Sequence, residues 1–162
     1  MSEYIMDLRK IVGHRPLLQA GASVLVEDDR GRLLLEQRAD DGKWCYPGGS
    51  VELYENTEEA ARRELFEETG ITAKNLSIFG VYSGPEMTHV YPNGDETSNI
   101  DIVYITKDFT GALNPQPSEV LALRFFAADE FPKDILETHY PCLNQWLERK
   151  GYPGLTRVKS EE

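Results

Sequence analysis

Residues Gly49–Ile71 read GSVELYENTEEAARRELFEETGI, and this stretch decides the fold. Within it, Arg63, Glu64, Glu67 and Glu68 belong to the block R-E-L-F-E-E. On a helix Glu64, Glu67 and Glu68 stand at i, i+3 and i+4, so their carboxylates crowd one face. Like charges at that spacing destabilise an isolated helix by ~0.2–0.5 kcal/mol per pair. A solvated face tolerates that loss, with Arg63 pairing to Glu59 or Glu67 and doing nothing else. The charge can instead be put to use. A hard divalent cation prefers carboxylate oxygens and keeps waters and substrate phosphates in its remaining positions.

The flanking residues support a helix. Asn56 or Thr57 can cap its start, and Glu58 and Glu59 suit the positive end of the dipole. Ala60, Ala61, Arg62, Arg63 and Leu65 are good helix formers, and Gly70 fits just past the C-terminus. Ala60, Ala61 and Leu65 make a narrow stripe that can lie against a sheet, with the carboxylates at its edge facing a cleft. Ahead of the helix, Pro47-Gly48-Gly49 predicts a sharp turn that exposes a carbonyl or approaches a ligand closely.

The full spacing is Gly49, five residues, Glu55, seven residues, Arg63-Glu64-Leu65, one residue, Glu67-Glu68, one residue, Gly70-Ile71. It resembles the complete signature box of the Nudix hydrolases, the MutT-like family, and no position departs from it. The likeness extends over roughly residues 17–148 and implies an α+β fold, an α/β/α sandwich with a mixed central sheet.

Working outward, residues 3–12 predict a short helix with Ile5, Leu8 and Ile11 or Val12 on one face. Strands are expected at 18–27, 32–38, 75–84, 99–107 and 119–127, and Asn93-Gly94 signals a hairpin after Thr88–Tyr91. Residues 133–149 suggest a helix broken at Pro141. The 162 residues and their 40% hydrophobic content fit one catalytic domain over 1–150, with 1–16 as a helical extension and 151–162 as a flexible tail. No apolar run is long enough to span a membrane, and the start lacks a basic region followed by an apolar one. Cys45 and Cys142 have neither metal-site nor disulfide-framework spacing, which makes a reducing cytoplasm the default expectation.

The net charge is −11, from 17 Lys plus Arg against 28 Asp plus Glu. That balance argues against polymeric nucleic acid as a partner, because affinity for it rests on basic surface. It also sets a condition: an acidic helix repels a pyrophosphate unless cations intervene.

The resemblance implies a water attack on the pyrophosphate linkage of a nucleotide, with Mg²⁺ as cofactor and Mn²⁺ as a substitute. The metal set would be the Gly48 carbonyl with Glu64, Glu67 and Glu68. Arg63 would orient the glutamates, and Glu55 would join the same polar lattice. Glu64 is expected as general base, Glu119 as the second candidate for base or ligand, and Asp95 or Glu96 as a third. Arg38 suits a phosphate clamp or an ordinary strand-end charge. Trp44 and Tyr46 suit either base stacking or the core, as do Tyr82 and Tyr91 on thinner grounds. His14, His89 and His139 are scattered and read as surface or structural residues.

Substrate candidates are ADP-ribose or another nucleotide sugar, and a (deoxy)nucleoside triphosphate. Pro85, fifteen residues after Gly70, lies near a proline carried by ADP-ribose hydrolases of the family. The alternatives are a non-catalytic nucleotide sensor, against which the intact box carboxylates argue, and an RNA 5′-pyrophosphohydrolase. Relatives are frequently homodimers, and the segment 3–12 could pack on a partner or on its own domain.

Overall fold

A computed structural model describes residues 2–157. Three helices, α1 (Glu3–Val12), α2 (Thr57–Thr69) and α3 (Tyr140–Arg149), accompany ten strands. The strands are β1 (Leu17–Val26), β2 (Leu33–Arg38), β3 (Trp44–Cys45), β4 (Gly48–Ser50), β5 (Thr72–Ala73), β6 (Ser77–Tyr82), β7 (Thr88–Val90), β8 (Glu96–Thr106), β9 (Phe109–Thr110) and β10 (Val120–Phe126).

A mixed sheet runs β4-β1-β8-β6, with β7 also paired to β8. Its centre is the parallel pair β1–β8, in register from Leu17 opposite Thr97 to Val26 opposite Thr106. A second sheet, β10-β2-β3, is antiparallel, and β5 with β9 forms a small ribbon.

The alternation along β1 builds the two layers. Ala22, Val24 and Val26 pack with Ala60, Ala61 and Leu65 of α2, whereas Leu25 faces Leu143, Trp146 and Leu147 of α3. The same period of two in β2 sends Leu34 to the α2 side and Leu33 and Leu35 to the α3 side. This arrangement is the expected sandwich.

Helix α1 packs on its own domain. Ile5 is buried, the Ser2 side chain caps the helix by accepting from the Ile5 N–H, and Arg9 Nη2 donates to the Glu96 carbonyl at 2.7 Å. Two expectations change. Pro141 does not break a helix; it sits in the first turn of α3, where its missing N–H has no helical partner to lose. The start of the expected tail is docked, with the Leu155 N–H donating to Asn144 Oδ1 at 2.7 Å and the Arg157 guanidinium 5.4 Å from the Tyr140 ring centroid. Residues 158–162 lie outside the described residues. Among those described, no helix is long and apolar enough to cross a membrane.

Candidate active site

Helix α2 is fixed at both ends by its own sequence. Asn56 is the N-cap, its side chain accepting from the Glu59 N–H at 2.9 Å, and Gly70 ends the helix at φ 78°. With its small-residue stripe buried on β1, the helix turns Glu64, Glu67 and Glu68 toward a cleft of about 480 Å³. Gly48, Gly49 and Ser50 of β4 form part of the same lining.

The two glycines act differently from the sharp turn expected of them. Neither has a positive φ, and both lie in a strand paired with β1. What they supply is closeness. A Cβ on Gly49 would stand 2.4 Å from the Glu64 carboxyl carbon, and one on Gly48 would stand 2.1 Å from Ser23 Oγ. The backbone at Gly49 therefore lies directly against the Glu64 carboxylate.

Arg63 lies behind this row and makes five hydrogen bonds, all to protein. Nε and Nη2 donate to the two Glu55 oxygens at 2.7 and 3.0 Å, and Nη2 also donates to the Ser50 carbonyl at 3.1 Å. Nη1 donates to Glu64 at 2.8 Å and to Glu67 at 3.4 Å. A guanidinium has five N–H donors, so none is left for substrate. Arg63 holds the Glu55 carboxyl below its usual range, and the Glu55 bond is the main reason that the Arg63 pKa is raised.

Exposure falls along the acidic row, from exposed Glu67 through half-buried Glu64 to Glu68 at 4%. Beyond Glu68 comes Glu36 of β2, also 4% exposed, with its carboxyl in hydrogen-bonding reach of Glu68. Glu68 in turn reaches Glu64. Burial first, and then the two neighbouring carboxyls, push the Glu68 pKa well up; burial also raises that of Glu36. Glu36 Oε1 faces Cys45 Sγ at 3.7 Å, and among the described residues Oε2 has no hydrogen-bond partner. Among those residues no three His, Cys, Asp or Glu groups form a ready-made cation cage. The carboxyls form a row, not a closed ring.

The rest of the cleft comes from distant parts of the chain. Arg38, at the end of β2, lines it with Nε and Nη2 on Asp40 and Nε on Asp41, at 2.7 to 3.2 Å. Burial opposes the Arg38 charge, but the two aspartates outweigh it and raise the pKa. Among the described residues Arg38 Nη1 donates to no protein acceptor. Glu119 borders the cleft just ahead of β10, and His89, Tyr91, His139 and Asp101 complete the lining used below.

Of the two roles open to Trp44 and Tyr46, both residues take the core one. Tyr46 is 1% exposed, one ring face covered by His139 at a centroid distance of 3.7 Å, and its hydroxyl donates to Asp101 at 2.9 Å. Its ring is part of the packed floor and offers no free face to a base. Trp44 packs edge-on against Phe126 and does not line the cleft. The Tyr82 hydroxyl donates to Gln145 Oε1, and Tyr82 is likewise outside the lining. Asp95 and Glu96 also stand apart: Asp95 is tied to Arg9 and His14 and anchors α1 to the hairpin.

Sequence reasoning missed Glu36, Asp101, His89 and His139. Burial pushes the His139 pKa down to about 3, with the Arg38 and His89 charges adding to the effect. The Tyr46 N–H donates to His139 Nδ1 at 3.3 Å, which places the ring proton on Nε2. Asp101 takes hydrogen bonds from Ser23 at 2.8 Å and from Tyr46, yet burial still raises its pKa. Only Glu36 left a trace in the sequence, as an acid directly after the apolar run Leu33-Leu34-Leu35 in the same strand.

The NUDIX domain family model matches residues 17–147. The chain belongs to the Nudix hydrolase family. Its enzyme class is therefore that of hydrolases acting on phosphorus-containing anhydrides. The "ADP-ribose pyrophosphatase" of Methanocaldococcus jannaschii is 34% identical over 154 residues, covering 93% of this chain and 86% of that protein. A "MutT-like protein" of Streptomyces ambofaciens is 35% identical over 130 residues, covering 80% of this chain and 77% of its own. Among solved structures, a MutT NUDIX hydrolase from Burkholderia pseudomallei superposes with a TM-score of 0.67 at 29% identity, covering 79% of this chain and 97% of that one.

Proposed function

We propose that this Nudix enzyme is a divalent-metal-dependent pyrophosphohydrolase that cleaves the diphosphate linkage of a nucleoside diphosphate derivative of the ADP-ribose or nucleotide-sugar type, in a reducing cytoplasm. The observation that carries the reading is the contiguous carboxyl row Glu64, Glu68, Glu36, whose buried end, Glu68 and Glu36, has no basic group hydrogen-bonded to it among the described residues. Unpaired buried carboxylates are costly, at several kcal/mol per ion as a rough scale, unless something neutralises them. A hard cation with oxygen ligands fits that donor set. Glu64, Glu67 and Glu68, with the Gly48 carbonyl, would hold it. When bound, Mg²⁺, or Mn²⁺ in its place, would offset the charge of the phosphate oxygens and lower the pKa of an attacking water.

The protein groups then have distinct tasks. Arg63 fixes Glu64 and Glu67 through Nη1 and is itself held by Glu55, so the row keeps its direction. Glu64 takes the proton of the attacking water, with Glu119 as the second candidate. Arg38 offers its open Nη1 to a substrate phosphate. The ADP-ribose type is favoured by the M. jannaschii relative, which spans nearly the whole chain, and by Pro85. That residue starts a single 3-10 turn whose Met87 lines the cleft.

The test is a nucleotide panel with Mg²⁺ in ¹⁸O-labelled water and product identification by mass spectrometry. ADP-ribose should yield AMP, with label on the phosphorus attacked. Binding without turnover across ADP-ribose, nucleotide sugars, triphosphates and 5′-triphosphate RNA would replace this reading with that of a sensor. Turnover confined to triphosphates or to 5′-triphosphate RNA would reassign the substrate alone.

A further inference from the structure

We propose that Glu36 is an additional cation-holding carboxylate, contributed to the cleft by strand β2 from outside the Gly49–Ile71 box. The inference rests on the metal-dependent reading above and deepens it. Glu36 follows three fully buried leucines in a strand paired on both sides, by β10 and by β3, so its carboxyl cannot withdraw to solvent. It lines the cleft at 4% exposure and reaches Glu68. Its Oε2 has no protein partner among the described residues, and Oε1 has only a thiol at 3.7 Å.

The nearest guanidinium on its own strand, Arg38, is engaged by Asp40 and Asp41. Its charge still acts on Glu36 from a distance, but Glu119, bordering the same cleft, opposes it, and burial outweighs both. A buried acid facing two other acids needs either a proton or water that it shares, or a cation. The first arrangement is merely structural and gives no dependence on added metal. The second makes Glu36 part of the cation's ligand shell or of the layer of groups orienting it.

Binding of Mn²⁺ to the metal-free full chain, without nucleotide, separates the two. Free Mn²⁺ is read by electron paramagnetic resonance, and thermal unfolding is followed in parallel. Glu36→Gln keeps the shape and supplies an amide donor to Glu68. It should weaken Mn²⁺ binding by about 10–100-fold and shrink the metal-induced rise in Tm, while the metal-free Tm stays level or rises. Glu36→Asp keeps the charge but draws it back by one methylene, and should also lose affinity. If Glu36→Gln does not fold, Glu36→Asp decides. Wild-type Mn²⁺ affinity in whichever variant folds overturns the assignment. Glu68→Gln is titrated alongside. Should it lose the metal while Glu36→Gln keeps it, Glu36 is dropped and the catalytic reading stands. Should wild-type protein bind no Mn²⁺, the metal reading itself fails.

Discussion

Two arginines flank the cleft, and they are held in opposite ways. Arg63 gives all five donors to protein acceptors, two of them Glu64 and Glu67 on the acidic wall. Arg38, on the other side, lines the cleft, is held by two aspartates of its own loop, and among the described residues has no protein acceptor at Nη1. Position beside a cleft therefore does not define a role. The number of donors already engaged separates the two: on the proposed reading the saturated arginine would brace the carboxylates, and the unsaturated one would receive a ligand.

The strongest way to break this contrast is Arg63→Lys. An ammonium is a point charge and cannot reproduce the five-donor fork. We expect kcat to fall by about 10–100-fold with KM nearly constant, because Glu64 and Glu67 lose their orientation while substrate contacts remain. A rise in KM alone would make Arg63 a substrate ligand and erase the distinction. Arg38→Ala should do the reverse, raising KM for phosphate-bearing substrates by about tenfold, the equivalent of one charge-assisted hydrogen bond of ~1.4 kcal/mol, with kcat little changed. Unaltered steady-state kinetics would return Arg38 to the status of a strand-end charge.

The smallest effect concerns the neutral part of the cleft. The folded pKa of His139, about 3, lies below its ordinary value of 6.5. Between those values the unfolded chain binds a proton that the folded chain refuses. The contribution is thus fully present above pH 6.5 and is lost as pH falls toward 3. His139→Phe keeps a ring against Tyr46 and removes the titration, so its urea midpoint should decline less steeply than that of wild type from pH 7 to pH 4. Parallel declines would mean that His139 titrates normally.

The contrast between the walls also explains what could be read from the sequence. The acidic wall is legible because one helix carries it: a helical repeat converts the spacing of Glu64, Glu67 and Glu68 directly into a shared face. The caps Asn56 and Gly70 are equally local. The sandwich follows from strand alternation and from the family resemblance. The opposite wall is assembled from β2, β7, β8 and the turn before α3, so no sequence spacing relates His89, Asp101 and His139. Tyr46 illustrates the remaining difficulty. Its neighbourhood to the glycines was correct, but whether an aromatic faces solvent or core depends on what covers it, here His139 from ninety-three positions away. The Gly48-Gly49 pair misled for a related reason. A glycine required by the closeness of another segment leaves the same mark in a sequence as one required by a bend.

The saturation of Arg63 leaves Arg38 as the one guanidinium lining the cleft among the described residues, and Asp40 and Asp41 offset most of its charge. A bare phosphate anion diffusing toward the cleft meets repulsion that reaches about 8–10 Å at ordinary ionic strength, so monovalent salt eases its arrival instead of hindering it. A nucleotide that travels already complexed with its divalent counterion carries much less charge and passes through the same field almost unopposed. On the metal-dependent reading proposed above, the guanidinium arrangement would thus favour a ligand delivered with its counterion, before any recognition of its base or sugar begins.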